Sequence, residues 1–409
     1  MTNNANDLCL KSANSGIKSP WLKRLAAYFS DLEEGQLTLI LPDENVVKFG
    51  QNSLKGPQAC IRLNSYKPLS ILFTKGDLAF AESYMQGEWD SPDLTALLEF
   101  GIAIEDKFAI KSANNVVLKV LNRIRHVLNR NSRSGSRRNI AHHYDLGNDF
   151  YKLWLDETMT YSSAMFNSPA DTLKQAQLNK YQAIAEMLNA CKSDRVLEIG
   201  CGWGGFSEYI ARSADVQIDG LTLSKEQLEF ANARYRDAGL ERQATASYTD
   251  YRDSTGQYDK IVSIEMFEAV GEENWDTYFK AIHDRLAPGG IAVLQIITID
   301  NNRFHSYRKS TDFIQRYIFP GGFLPSPEAL QAALDRNNFT LDKTHFFGAS
   351  YAHTCALWNK QFQHAWPEVE ALGYSTNFKR MWEYYLSYCE AGFKAGCVDV
   401  GLFKITKTA

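Results

Sequence analysis

The chain is poor in several of the features that would narrow its role quickly. No apolar run approaches the ~20 residues that a membrane-spanning helix needs. The opening stretch, MTNNANDLCLKSANSGIKSPWLKRL, lacks the apolar core of a secretory signal. The expectation is a cytoplasmic protein. There is no excess of positive charge, since 44 Lys and Arg stand against 48 Asp and Glu, a net −4. A duplex nucleic-acid binder needs a broad basic surface to neutralise phosphates, so nucleic acid is not an expected partner and any polyanion contact must be local. The seven cysteines (Cys9, Cys60, Cys191, Cys201, Cys355, Cys389 and Cys397) form no CxxC pair and sit mostly in apolar segments. Reduced thiols fit that pattern better than a disulfide framework or a zinc site. His142 and His143 are adjacent, and neither a helix nor a strand turns both toward one ion, so no metal is expected.

What the chain does have is bulk. Its 409 residues are 44% apolar and 22% charged, enough for two domains with real cores. Residues 35–76 read as strands, QLTLIL, VVKFG, ACIRL and LSILFT, with a turn at 42–45. Two helices follow, one opened by Asp77 and one by Ser91 and Pro92. The reading is a small α+β domain over residues 1–115, without a catalytic constellation. Residues 116–139 then carry Lys119, Arg123, Arg125, Arg130, Arg133, Arg137 and Arg138 without one acid. Val117, Leu118, Leu121, Ile124 and Leu128 share one helical face. This segment is either an amphipathic basic helix that touches anionic lipid or a solvated linker whose apolar face packs on its own protein.

From Arg195 onward strands and helices alternate, which argues for a mostly parallel sheet with helices on both faces. The stretch VLEIGCGWGG ends a strand and opens a helix, and Gly200, Gly202 and Gly204 let the backbone turn tightly beside a ligand. Gly200, Gly202 and Gly205 also satisfy the dinucleotide pattern GxGxxG, so the loop alone leaves open a dinucleotide, S-adenosylmethionine or a purely structural turn. Glu198 before the first glycine, Trp203 within the loop and the later LAPGG turn favour S-adenosylmethionine, whose cationic sulfonium a carboxylate would attract. An acid for the ribose hydroxyls is missing from the end of the second strand, where Asp219 falls one step early. Thr222, Ser224 and Gln227 take its place as candidates, with Tyr251 and Arg252 further on.

HYDLGNDFYKLWLD, MTYSSAMF, VLEIGCGWGG, LTLSKEQ, VSIEMFEAVG, YIFPGGFLPS and FKRMWEYYLSYCEAGF together resemble the cyclopropane-fatty-acyl-phospholipid synthase family, which includes the mycolic acid methyltransferases. The resemblance covers residues ~140 to 409 and makes 140–409 the catalytic domain, a Rossmann-like α/β methyltransferase fold. It implies methyl transfer from S-adenosylmethionine to the double bond of an unsaturated acyl chain in a membrane phospholipid. With it, the lipid-contact reading of residues 116–139 gains weight, and so does peripheral association with the inner membrane face. Residues 142–166 become a flap and helix over the cofactor, with Tyr161 and Ser162 at its methionine end. The aromatics Tyr144, Phe150, Tyr151, Trp154 and Tyr161 either stabilise a carbocation and wall an acyl chain or are ordinary core.

In this family the proton left on the methylated alkene goes to a bound bicarbonate, held by a Cys, a Glu, a His, an Ile and a Tyr. Position by position, Glu268, Ile297 and Tyr351 match, whereas Ser163 stands for the Cys and Gln295 for the His. Ala269 replaces a His that follows the Glu in many relatives. Bicarbonate binding is therefore expected to be weakened or reorganised. That tilts the expected product from a cyclopropane toward a methyl-branched alkene. Cys389 matches a Cys once proposed as nucleophilic, but its apolar helical setting favours a core thiol. A small-molecule N-methyltransferase is the rival reading, and a non-catalytic lipid and cofactor binder is a second. Oligomeric state is left open, a homodimer included.

Overall fold

The computed structural model describes residues 19–29, 32, 35–50, 56–104 and 146–408. It divides into two compact units, residues 1–121 with 373–395 and residues 122–372 with 396–409. The basic segment 116–139 and residues 142–145 lie outside the described residues.

The first unit holds a four-stranded sheet in the order β2-β1-β3-β4, formed by β1 (Gln36–Ile40), β2 (Val46–Gly50), β3 (Gln58–Leu63) and β4 (Trp89–Asp90). β1 and β2 pair antiparallel across the expected turn, and β3 runs parallel to β1. The stretch LSILFT is not a strand. It belongs to helix Lys67–Lys75, because Pro68 fits a first helical turn and Gly76, at φ 85°, ends it. Helix Leu94–Ala103 is capped by Asp93, which accepts from the Ala96 amide at 2.9 Å, rather than by Ser91.

Helix Thr376–Lys394 also packs in this unit, against Leu94–Ala103 and Asp77–Met85, although sequence order suggested the catalytic domain. Its anchor is Arg380. The guanidinium donates to the carbonyls of Tyr84 (2.5 Å) and Trp89 (2.6 Å) and to Asp90 Oδ1 (2.7 Å), and lies 4.0 Å over the Tyr84 ring. A rigid planar fork makes all of these contacts at once, which a lysine cannot. Trp89 beneath it is wholly buried, with its indole N–H donating to Ser83 Oγ at 3.0 Å. Arg380→Ala should destabilise this unit by about 2–4 kcal/mol, since it removes three charge-assisted bonds and the packing on Tyr84 at once, leaving the Tyr84 carbonyl only its backbone donor. Denaturant titration checks this; a loss under about 0.5 kcal/mol would remove Arg380 as the anchor.

The second unit is built on a seven-stranded sheet in the order β10-β11-β9-β8-β5-β6-β7. Its strands are β5 (Arg195–Ile199), β6 (Gln217–Thr222), β7 (Ala244–Tyr248), β8 (Tyr258–Ile264), β9 (Leu286–Ile299), β10 (Phe339–Phe346) and β11 (Val398–Lys407). β5 to β9 pair in parallel, while β11 is antiparallel to both β9 and β10. This is the mostly parallel α/β sheet that the sequence implied. From β5 the chain steps outward through β6 to β7, then returns to place β8 on the other side of β5. Strand order reverses there, so the crevice above the carboxyl ends of β5 and β8 is where such a sheet takes its ligand.

Candidate active site

The glycine loop follows β5 into that crevice. A side-chain carbon on Gly200 would lie 2.9 Å from Met266 Cγ, one on Gly204 2.7 Å from the Tyr235 hydroxyl, and one on Gly205 2.9 Å from the Thr158 carbonyl. These glycines are needed for packing within the protein. Gly202 differs: at φ 51° it faces open space, with no atom within 4 Å of such a carbon. It is the loop glycine with an open face, whereas Gly204 caps the following helix and packs against Tyr235. Trp203 is buried, donates from its indole to Asn148 Oδ1 at 2.6 Å, and packs on Tyr151 at 5.0 Å.

Glu198, the penultimate residue of β5, is 2% exposed and accepts from Ser207 Oγ. Burial pushes its carboxyl up to about 8 from an ordinary 4.5, against the opposing pull of Ser207 and Lys180. A cationic ligand over the loop would favour its ionised form. Thr222 and Gln227 are buried and joined, the hydroxyl donating to the amide oxygen at 3.0 Å, while Ser224 caps the next helix. Tyr251 is half-buried against Tyr278. Arg252 pairs with Asp250 through two charge-assisted bonds of 2.8 and 2.6 Å, which brace the loop.

The segment after Asn148 forms the wall opposite. Phe150, Tyr151 and Trp154 are completely buried, as core residues are. Tyr161 is only half-buried, with its ring 5.3–5.4 Å from Tyr151, Trp154 and Trp358. Of the described aromatics named from the sequence, Tyr161 is the one placed to offer a face to the crevice. Ser162 is turned inward, its hydroxyl accepting from Lys180 Nζ at 2.7 Å and its carbonyl from Gln177 Nε2 at 2.9 Å. Cys389 lies half-buried on helix Thr376–Lys394 of the first unit.

At the end of β8 the structure brings together the residues expected to hold bicarbonate, around a carboxylate that sequence reasoning passed over. Glu265 Oε1 accepts from the Ser163 amide (2.8 Å) and from Gln295 Nε2 (2.6 Å), and Oε2 from the Tyr351 hydroxyl (2.6 Å). Glu268 Oε1 accepts from the Ile297 amide at 2.5 Å, while its Oε2 has no hydrogen-bond partner. Burial, and then the charge of Glu265, push the Glu268 carboxyl up to about 8. Three of the donors assigned to a bicarbonate are thus taken by the chain's own carboxylate, and a second carboxylate stands beside them. As placed here, those donors face Glu265 and not an open anion site.

Lys180 is the other residue missed. It is wholly buried, and desolvation lowers its ammonium, opposed by the charges of Glu265, Asp156 and Glu198. A signal was available: Lys180 sits with Ala176, Gln177, Tyr181, Ile184 and Leu188 on the buried stripe of helix Leu173–Leu188, where a lysine needs a buried partner. For Glu265 the signal was weaker, an acid directly after the last residue of a buried parallel strand.

These placements yield two expectations. Gly202→Val should leave the protein folded, at a cost of about 1–2 kcal/mol for a side chain at positive φ, yet weaken S-adenosylmethionine binding at least about 100-fold, about 2.7 kcal/mol; calorimetry showing parental affinity would remove Gly202 from the cofactor site. Glu198 binds a proton more tightly folded than unfolded, so between about pH 4.5 and 8 the folded state holds more protons and stability of the ligand-free protein falls as pH rises. In thermal melts, Glu198→Gln should flatten that fall and bind the cofactor less well; an unchanged slope would refute the assignment.

The profile of the mycolic acid cyclopropane synthetase family matches residues 131–403. The chain is 39% identical over 335 residues to the tuberculostearic acid methyltransferase of Mycobacterium tuberculosis, covering 80% of this chain and 78% of that protein. It is 35% identical over 384 residues to the cyclopropane-fatty-acyl-phospholipid synthase of Escherichia coli, covering 89% and 94%. A mycolic acid cyclopropane synthase solved with SAH and CTAB superposes with a TM-score of 0.63 at 31% identity, over 66% of this chain and 98% of that one. The chain therefore belongs to the mycolic acid cyclopropane synthetase family and is an S-adenosylmethionine-dependent methyltransferase.

Proposed function

We propose that the chain methylates the double bond of unsaturated acyl chains in membrane phospholipid and releases a methyl-branched alkene. The observation that carries this is the crevice itself, where Glu198 and Glu265 share one buried lysine, Glu268 stands beside Glu265, and the ring of Tyr161 is half-buried. Bound S-adenosylmethionine supplies an electrophilic methyl group. An alkene that takes that methyl becomes a cation, and carboxylates with a tyrosine face, shielded from bulk water, stabilise positive charge. The names of the two relatives, one a fatty-acyl-phospholipid synthase, support an acyl substrate. The phospholipid surface enters through the basic segment 116–139, which lies outside the described residues, and peripheral docking at the inner membrane face is part of this reading.

The preference for a branched alkene rests on Ser163 and Gln295, neither of which brings a positive charge to the base's position. The test is turnover with cofactor carrying a fully deuterated methyl, on vesicles of unsaturated anionic phospholipid, read by mass spectrometry and NMR. A branched alkene keeps every deuteron, whereas ring closure expels one, and the rate should fall as salt screens the surface. A cyclopropane lacking one deuteron would overturn the product assignment. Methylation of amines with none of lipid would overturn the substrate.

A further inference from the structure

We propose that Glu265 is the base of the reaction, taking the place of an external anion so that the enzyme works without bicarbonate. The proposal rests on the alkene-methylation reading above, but its central observation is independent of substrate. The Ser163 amide, the Gln295 amide group and the Tyr351 hydroxyl converge on one point, and that point is occupied by the two oxygens of Glu265. Ser163, Gln295 and Tyr351 are themselves buried, at 0, 1 and 7% exposure, whereas Glu265 is half-buried and directly follows the carboxyl end of β8, which borders the crevice.

The backbone gives a second, separate sign. Glu265 sits at φ 48°, a left-handed conformation that suits glycine and is strained for a glutamate. Its amide is fixed by the Gln295 carbonyl at 2.9 Å, so β8 and β9 hold the strained residue in register. Strain kept at a ligand-binding strand end is the usual mark of a side chain that must be in one place. Burial opposes the ionised form of Glu265, while the Tyr351 hydroxyl and the charge of Lys180 favour it.

The step balances without another reactant. The alkene's π pair forms the new carbon–carbon bond as the carbon–sulfur pair returns to sulfur. A C–H bond next to the cationic carbon then gives its pair to the product's double bond. The proton passes to a Glu265 oxygen and is later lost to solvent through the crevice.

Four measurements decide the matter, each in the full-length protein. Turnover of the parent in carbonate-free buffer should equal that with added bicarbonate, and a titration of 13C-bicarbonate followed by NMR should show no binding to the parent. Glu265→Gln should lower turnover at least about 100-fold while calorimetry shows S-adenosylmethionine still bound. Glu265→Gly, which suits the positive φ and vacates the donors, should acquire affinity for bicarbonate. A parental rate that rises with bicarbonate, bicarbonate binding to the parent, a fast glutamine variant, or a glycine variant with no anion affinity would each overturn the proposal. The two parental measurements need no variant to fold. Should the parent methylate no lipid at all, the substrate reading fails, and the NMR titrations of parent and glycine variant still decide the role of Glu265.

Discussion

The second unit depends on keeping carboxylates out of water with too few cations to neutralise them. Glu198 near the end of β5 and Glu265 just beyond β8 share Lys180 with Asp156, Glu268 stands beside Glu265, and all three glutamates are pushed toward their protonated form by desolvation. A carboxylate so placed is stable only with hydrogen bonds or a cation beside it. The protein supplies the bonds through Ser207, Ser163, Gln295, Tyr351 and the Ile297 amide. The remaining positive charge is left for whatever binds. That deficit selects a sulfonium over a pyrophosphate, although the loop carries a pattern compatible with either.

Topology is what brings these acids together. β5 and β8 are neighbours because the chain completes β6 and β7 on one side before crossing to the other, so residues about 70 apart end at the same crevice. The pairing of Ile264 with Gln295 then sets Glu265 beside the Gln295 side chain. A shift of one residue in that register would turn Gln295 to the opposite face and leave Glu265 without its donor. Site and sheet are specified by the same contacts.

Much of this was legible in the sequence, and the failures have physical causes. The strand-helix alternation, the glycine loop and the cluster of Ser163, Glu268, Gln295, Ile297 and Tyr351 follow from local pattern and resemblance. Glu265 was missed because its role depends on three donors from distant segments, which no local pattern displays. The pairing of Arg252 with Asp250, two residues away, likewise leaves no trace in local pattern. LSILFT is apolar enough for a strand, and only Pro68 and Gly76 on its flanks mark it as helix. The anchoring of Thr376–Lys394 through Arg380 is likewise a tertiary contact that sequence order obscures.

The conformation of Glu265 shows how a general fold acquires one chemistry. A glycine there would relieve strain of order 1–3 kcal/mol and leave an anion-sized space ringed by donors. Glutamate forgoes that relief and fills the space with its own charge. A tethered carboxylate loses less freedom on reaching the reacting carbon than an ion captured from solution, and it cannot dissociate between turnovers. Its position is also fixed by β8 and β9 instead of by the ion's own equilibrium, so the proton within its reach is chosen by the sheet. Backbone strain at one residue is thus offset by a base that is always present and always in the same place.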